Sequence, residues 1–355
     1  MEKIVKIYGE IKGIRYKVFL NRPLISYSFK SLDKALSERG SFILEVDKEN
    51  KFAVSWWVSP KRTRSYPYSR VYDTLAFTGK KITIIPIIKD EGKDGDRDFL
   101  QWDTISLMSL LGIYVIIGYY KEAERNPYYK NKISNQKFDI KYLKEEIARL
   151  LSYQSDALHW NLEQVDKIMD IANKAFECYK KISKKTSVEM HSMESAKKHI
   201  EKLYKDKENF INASRELARK AQKRESLTVQ PKEYLVGNKG IITIKNYLGG
   251  YYYFTCDEVE IKGENIHLIE GKHTNRGILP SEDDIKDGLI KLMLYTNLEN
   301  VVVNGKKYNP VPILKLTSRF DLREELLSKS KRKILNLLRR EATLNGFRLK
   351  ILKVM

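Results

Sequence analysis

The chain has 355 residues, enough for about two domains with buried cores. Its 66 Lys and Arg against 46 Asp and Glu leave a formal charge of +20, which calls for a polyanionic partner, and 42% hydrophobic with 11% aromatic content excludes a disordered basic tail as the source of that charge. Only Cys178 and Cys256 occur, neither in a CxxC pair nor beside a histidine at ligand spacing, which excludes a disulfide framework and a structural zinc and fits a reducing compartment.

The first residues carry no signal-like apolar core, and the longest apolar runs, such as residues 113–120, fall far short of the ~20 residues of a membrane span. A cytoplasmic location is expected. No segment reads as a helix basic on one face and bulky and apolar on the other, so nucleic acid suits the charge better than a membrane surface.

Taken in order, residues 16–20, 41–46, 52–58, 81–88 and 113–120 have the β-branched and aromatic enrichment of strands, and residues 99–111 carry Leu100, Ile105, Met108 and Leu111 at helical spacing. From residue 139 to about 225 the spacing of Leu143, Ile147, Leu150, Leu162, Val165 and Ile168 predicts helices. The last third reads as helix 196–225, strands 241–247, 251–261 and 265–274, helix 281–297, and a strand at 301–303 or 311–316, an αβββαβ order. A basic helix over 322–344 and a strand over 347–353 follow. Ser281 with Asp284 three residues on predicts a capped helix start. The fold class expected is α/β or α+β. It divides into a β-rich α/β region at 1–137 with a DNA-recognition role, a helical linker or dimerisation region at 138–190, and the αβββαβ domain at 191–355.

The densest chemistry lies in strands 251–261 and 265–274. If Gly263 and Glu264 form a two-residue hairpin loop, Ile261 faces Ile266, Val259 faces Leu268, and Asp257 faces Glu270. Like charges directly opposed destabilise a sheet, and a divalent cation offsets that repulsion. Two carboxylates with the backbone carbonyl of Gly271 suit Mg²⁺, which keeps several waters and takes substrate phosphates for the rest of its shell. Period-two alternation puts Lys272 on the same face as Glu270, where its ammonium could orient an attacking water or stabilise charge on a scissile phosphate. The competing reading is an exposed amphipathic hairpin whose acids are simply solvated.

Asp257, with Glu270-Gly271-Lys272 thirteen positions on, in adjacent strands of an αβββαβ order, resembles the PD-(D/E)XK nuclease superfamily, which includes most Type II restriction endonucleases, DNA repair nucleases and Holliday junction resolvases. The resemblance covers about residues 196–316, and Cys256 stands where the name puts Pro. It implies a restriction-endonuclease-like core that hydrolyses phosphodiesters with Mg²⁺, Asp257 and Glu270 as ligands and Lys272 as the catalytic lysine. A further acidic residue from the first helix would be Glu216 or Glu225. A standalone nuclease without an ATPase motif points to a Type II restriction enzyme cutting double-stranded DNA, hence a homodimer and a methyltransferase acting on the same site. The alternatives are a defence or repair nuclease acting on RNA, single strands or junctions, and a nucleic-acid-binding protein without catalysis.

Two further segments are candidate DNA contacts. Residues 56–70 hold Lys61, Arg62, Arg64 and Arg70 among four aromatics and no acids, a composition that could contact phosphates and stack on bases. The C-terminal helix offers Lys331, Arg332 and Lys333. The acidic run 89–98 departs from EF-hand spacing and is expected to be a solvated connector.

Overall fold

Strand β1 (Val5–Ile11) alternates as a half-buried strand should, with Ile7, Gly9 and Ile11 turned inward. It is described in a computed structural model that covers residues 4–61, 66–204, 238–246, 251–321 and 324–354. The molecule is a mixed α+β protein in two compact units, one formed by Met1–Arg22 with Arg215–Met355, the other by Pro23–Ser214.

The inserted unit runs β2 (Ser26–Ser28), α1 (Leu32–Glu38), β3 (Ser41–Glu45), β4 (Lys51–Trp56), α2 (Pro67–Thr74), β5 (Lys81–Pro86), β6 (Ile88–Asp90), β7 (Arg97–Phe99), α3 (Trp102–Leu110), β8 (Ile113–Gly118), β9 (Tyr120–Arg125), β10 (Ile133–Phe138), α4 (Ile140–Leu151), α5 (Ala157–Asp166), α6 (Ile168–Thr186) and α7 (Met193–Tyr204). Its main sheet has the order β2-β3-β4-β5-β8, with β3 and β4 antiparallel and the other pairs parallel. β8 is an edge, and α5 covers it. Asn161 accepts from the Val115 N–H at 2.7 Å and donates to the Ile113 carbonyl, Gln164 accepts from the Ile117 N–H, and the Trp160 indole donates to the Val115 carbonyl. Edge groups that would otherwise recruit another strand are thereby satisfied.

Two sequence expectations change here. The helices at 138–190 are not a separate linker, because α4 and α5 pack on β8 and α6 packs on β9, all within the inserted unit. The boundaries expected at 137 and 190 therefore do not coincide with those of the compact units. Helix α7, which covers the start of the predicted helix 196–225, also lies in the inserted unit and packs on α6; the rest of that helix, with Glu216 and Glu225, falls outside the described residues.

The other unit continues with β11 (Asn238–Asn246), β12 (Tyr251–Lys262), β13 (Asn265–Thr274), α8 (Glu282–Tyr295), β14 (Glu299–Val303), β15 (Lys306–Lys307), β16 (Asn309–Ser318), α9 (Lys329–Asn345) and β17 (Arg348–Lys353). They form one sheet with β1 in the order β15-β14-β1-β11-β12-β13-β16-β17. β11, β12 and β13 form an antiparallel meander; α8 then crosses over, and β16 lies parallel to β13. Of the two candidates for the strand after this helix, 311–316 is the one beside the hairpin, whereas 301–303 joins the far side of β1. The Ser281 side chain accepts from the Asp284 N–H, so the predicted cap is present.

The strand expected at 16–20 is absent. The Glu341 carboxylate, fully buried on α9, takes the N–H groups of Phe19 and Leu20 at 3.0 and 3.1 Å and the Tyr16 hydroxyl at 2.8 Å. A side chain thus satisfies the backbone that a strand ladder would have used.

Candidate active site

The β12–β13 turn follows the sequence reading. Gly263 has φ +61°, a conformation that favours glycine, and the ladder runs from Lys262↔Asn265 through Ile261↔Ile266 and Val259↔Leu268 to Glu258↔Ile269. The ladder stops one pair short of Asp257 and Glu270. At this point β12 is bulged against β11: Gly240 pairs with Cys256 and Asn238 with Val259, leaving Asp257 and Glu258 opposite the single residue Lys239. The Asp257 side chain then does what its backbone does not, and its Oδ2 accepts the Gly271 N–H at 2.8 Å.

Glu270 is fully buried, and Lys272, two positions on along β13, sets its Nζ 3.1 Å from Glu270 Oε1. Helix α8 supplies the rest of the cluster. Asp287 and Lys291, one turn apart, face the same spot: Lys291 Nζ lies 2.8 Å from Glu270 Oε2 and 4.0 Å from Asp257 Oδ1, and Asp287 Oδ2 lies 3.5 Å from Lys272 Nζ. The helix can come this close because residue 288 is glycine. A Cβ there would stand 3.1 Å from Lys272 Cε and 3.5 Å from Glu270 Cγ.

Three residues singled out in the sequence, Asp257, Glu270 and Lys272, therefore meet, and Gly271 joins them through its N–H. Asp287 and Lys291 were not anticipated. The signal for Lys291 was a lone charge in the apolar run Leu289-Ile-Lys-Leu-Met-Leu294, where a lysine needs a buried anionic partner.

The electrostatics follow from two carboxylates in a confined space. Burial, then the charge of Glu270, push the Asp257 carboxyl up to about 6, against the pull of Lys291 and Lys272. Burial opposes the Lys272 charge, but Glu270 and Asp287 outweigh it and hold the ammonium up at about 12. Burial also raises the Cys256 thiol, which keeps the side chain before Asp257 neutral.

Among the described residues, no group of three or more His, Cys, Asp or Glu side chains is arranged to hold a metal. The carboxylate pair nonetheless has the donor chemistry for Mg²⁺, which is commonly held by one or two carboxylates and completed by water and phosphate. Glu270 Oε1 is buried and accepts no hydrogen bond, despite the ammonium at 3.1 Å, and so retains an oxygen for a cation.

The expected DNA contacts are dispersed. Arg70 lies on α2, where its guanidinium sits 4.5 Å over the Trp56 ring and donates to the Trp56 carbonyl at 2.9 Å. It is tied into the unit's own packing. Trp57 and Tyr68 are core residues in edge contact with each other and do not form a stacking surface. Lys61 is exposed, with Nζ 3.9 Å from Asp98, and Arg62 and Arg64 lie outside the described residues. On α9, Lys329, Arg332, Lys333 and Arg340 line an open groove of about 470 Å³, and Lys331 is half-buried nearby. The acidic run is solvated only in part: Asp94 and Asp96 are exposed, but Asp90 is fully buried with its Oδ1 2.8 Å from His191 Nδ1, and Glu91 pairs with Lys89 and Lys132.

Compared with known proteins, the chain matches no family model, no curated protein and no solved structure. Among the described residues no helix is long and apolar enough to cross a membrane.

Proposed function

We propose that the unit holding β11–β13 is a Mg²⁺-dependent endonuclease of the PD-(D/E)XK kind, cutting double-stranded DNA in the manner of a Type II restriction enzyme. The observation that carries this reading is the meeting of Asp257, Glu270 and Lys272 at the end of a hairpin whose next helix crosses over to a parallel strand. An exposed hairpin of solvated charges would not bury Glu270 completely or enclose it between two lysines.

In this reading Asp257 and Glu270 would hold the cation, with the Gly271 N–H fixing the Asp257 carboxylate. When bound, Mg²⁺ supplies a Lewis acid for the scissile phosphate. The Lys272 ammonium, kept charged by Glu270 and Asp287, orients the attacking water and stabilises negative charge as it develops on phosphorus. Asp287 positions Lys272 from α8.

The net charge of +20 and the basic groove on α9 supply the affinity for DNA. Cutting both strands calls for two sites, so the working form is a homodimer, and a methyltransferase acting on the same DNA site is the fitting partner. The α5 layer already covers the β8 edge, so that strand is not open to pair with a second copy.

Incubation with plasmid DNA, Mg²⁺ and an EDTA control tests this. Discrete fragments that need Mg²⁺ are the expected result; smearing indicates a nonspecific nuclease, preference for RNA or junctions the repair-type alternative, and a gel shift with intact DNA a binder without catalysis.

A further inference from the structure

Lys291 has no role in the chemistry above, yet it occupies the centre of the site. It is 6% exposed on an otherwise apolar stretch of α8, and an ammonium in such a place is stable only when carboxylates compensate it. The two lysines are not equivalent. Lys272 Nζ meets Glu270 Oε1 and Asp287, whereas Lys291 Nζ meets Oε2 at 2.8 Å and reaches Asp257 Oδ1 at 4.0 Å. Of the two, Lys291 is the one set between both carboxylates.

We propose that Lys291 is a resident counter-cation, its ammonium holding the place between Asp257 and Glu270 that a divalent cation takes, so that metal entry is an exchange. This rests on the reading of Asp257 and Glu270 as a metal site. Two buried carboxylates without a cation repel each other. Lys291 offsets that repulsion and holds them in register in the metal-free protein, and its flexible four-carbon stem lets the charge withdraw without moving the helix. The arrangement makes metal affinity modest, because every metal ion must displace a bound charge.

The test is Mn²⁺ titration of the full chain without DNA, followed by calorimetry and by melting temperature, for wild type, Lys291→Gln and Lys272→Gln. Lys291→Gln removes the competing charge from between the ligands and is expected to bind Mn²⁺ at least about tenfold more tightly than wild type, a step well within the coupling of unit charges about 4 Å apart. Lys272→Gln, which removes a charge of the same sign from outside the pair, is expected to tighten binding by less. Without metal, Lys291→Gln should melt below wild type and recover with Mn²⁺. Should it fail to fold without metal, rescue by Mn²⁺ is the expected result and absence of rescue overturns the exchange. Wild-type binding with Lys291→Gln no tighter than Lys272→Gln overturns the exchange alone. No Mn²⁺ binding at millimolar concentration by any of the three overturns the metal site and the exchange together.

Discussion

The Gly271 N–H donates to the Asp257 carboxylate at 2.8 Å, just beyond the last ladder pair of the hairpin, Glu258 with Ile269. A backbone group that the ladder would have used instead fixes an acidic side chain. Asp257→Asn retains an acceptor for that bond but loses the charge. Cleavage should disappear while the fold survives and DNA affinity stays within about tenfold, since the basic surface supplies most of it. Cleavage by this variant at the wild-type rate would remove Asp257 from the site.

Lys272→Ala should lower single-turnover cleavage at least ~100-fold, the usual loss when one electrostatic donor is taken from a transition state. Lys272→Arg should also be impaired, because a planar fork does not replace a compact ammonium beneath α8. If the hairpin were only a solvated surface, both variants would cut normally.

Gly288→Ala separates activity from stability. The helix itself gains up to about 1 kcal/mol from alanine. The new methyl meets Lys272 Cε at 3.1 Å, Leu314 Cδ1 at 3.3 Å and Glu270 Cγ at 3.5 Å, tight enough to move the lysine. The expected outcome is a lower turnover rate with melting temperature held or raised, measured side by side. Unchanged turnover would show that Lys272 does not depend on that space.

The raised carboxyl of Asp257 gives a pH signature in EDTA. Because its folded value, about 6, lies above the ordinary aspartate value of 3.8, the folded state binds the proton more strongly than the unfolded chain. The group's contribution is therefore most favourable below about pH 4 and is lost as pH rises through 6. Relative to Asp257→Asn, metal-free wild type should lose on the order of 2 kcal/mol between pH 4 and pH 7 in urea unfolding. A constant difference across that range would show that Glu270 and burial do not perturb Asp257.

Arg70→Ala should act on stability more than on DNA. The guanidinium packs on Trp56 and holds its carbonyl, so its loss should cost on the order of 1–2 kcal/mol, with DNA affinity and its salt dependence little changed. A reduced salt slope at unchanged melting temperature would return Arg70 to the DNA interface.

Local rules made part of this site legible. The turn at Gly263 and the alternation of Glu270 with Lys272 depend on neighbours in sequence, and so does the cap at Ser281. Contacts over long separations were not legible. The proximity of Lys291 to Asp257 and Glu270 depends on how α8 lies across the sheet, and the burial of Phe19 and Leu20 backbone against Glu341 spans more than three hundred residues. Arg70 had a composition suited to DNA, yet its partner Trp56 lay on the preceding strand. The bulge beside Asp257 has a trace in the sequence, because the apolar alternation through Phe254 and Cys256 changes phase at Val259 and Ile261.

Strand β1 is paired on both sides, with β11 in parallel and β14 antiparallel, although the whole inserted unit separates it from either in the chain. During synthesis it therefore emerges first and waits for partners made more than two hundred residues later, while the inserted unit has all of its own sequence in hand. That sheet becomes whole only once β17 has been made. A growing chain on the ribosome thus carries an unfinished sheet, and a fragment limited to the last third would expose the β11 and β14 edges that β1 normally seals.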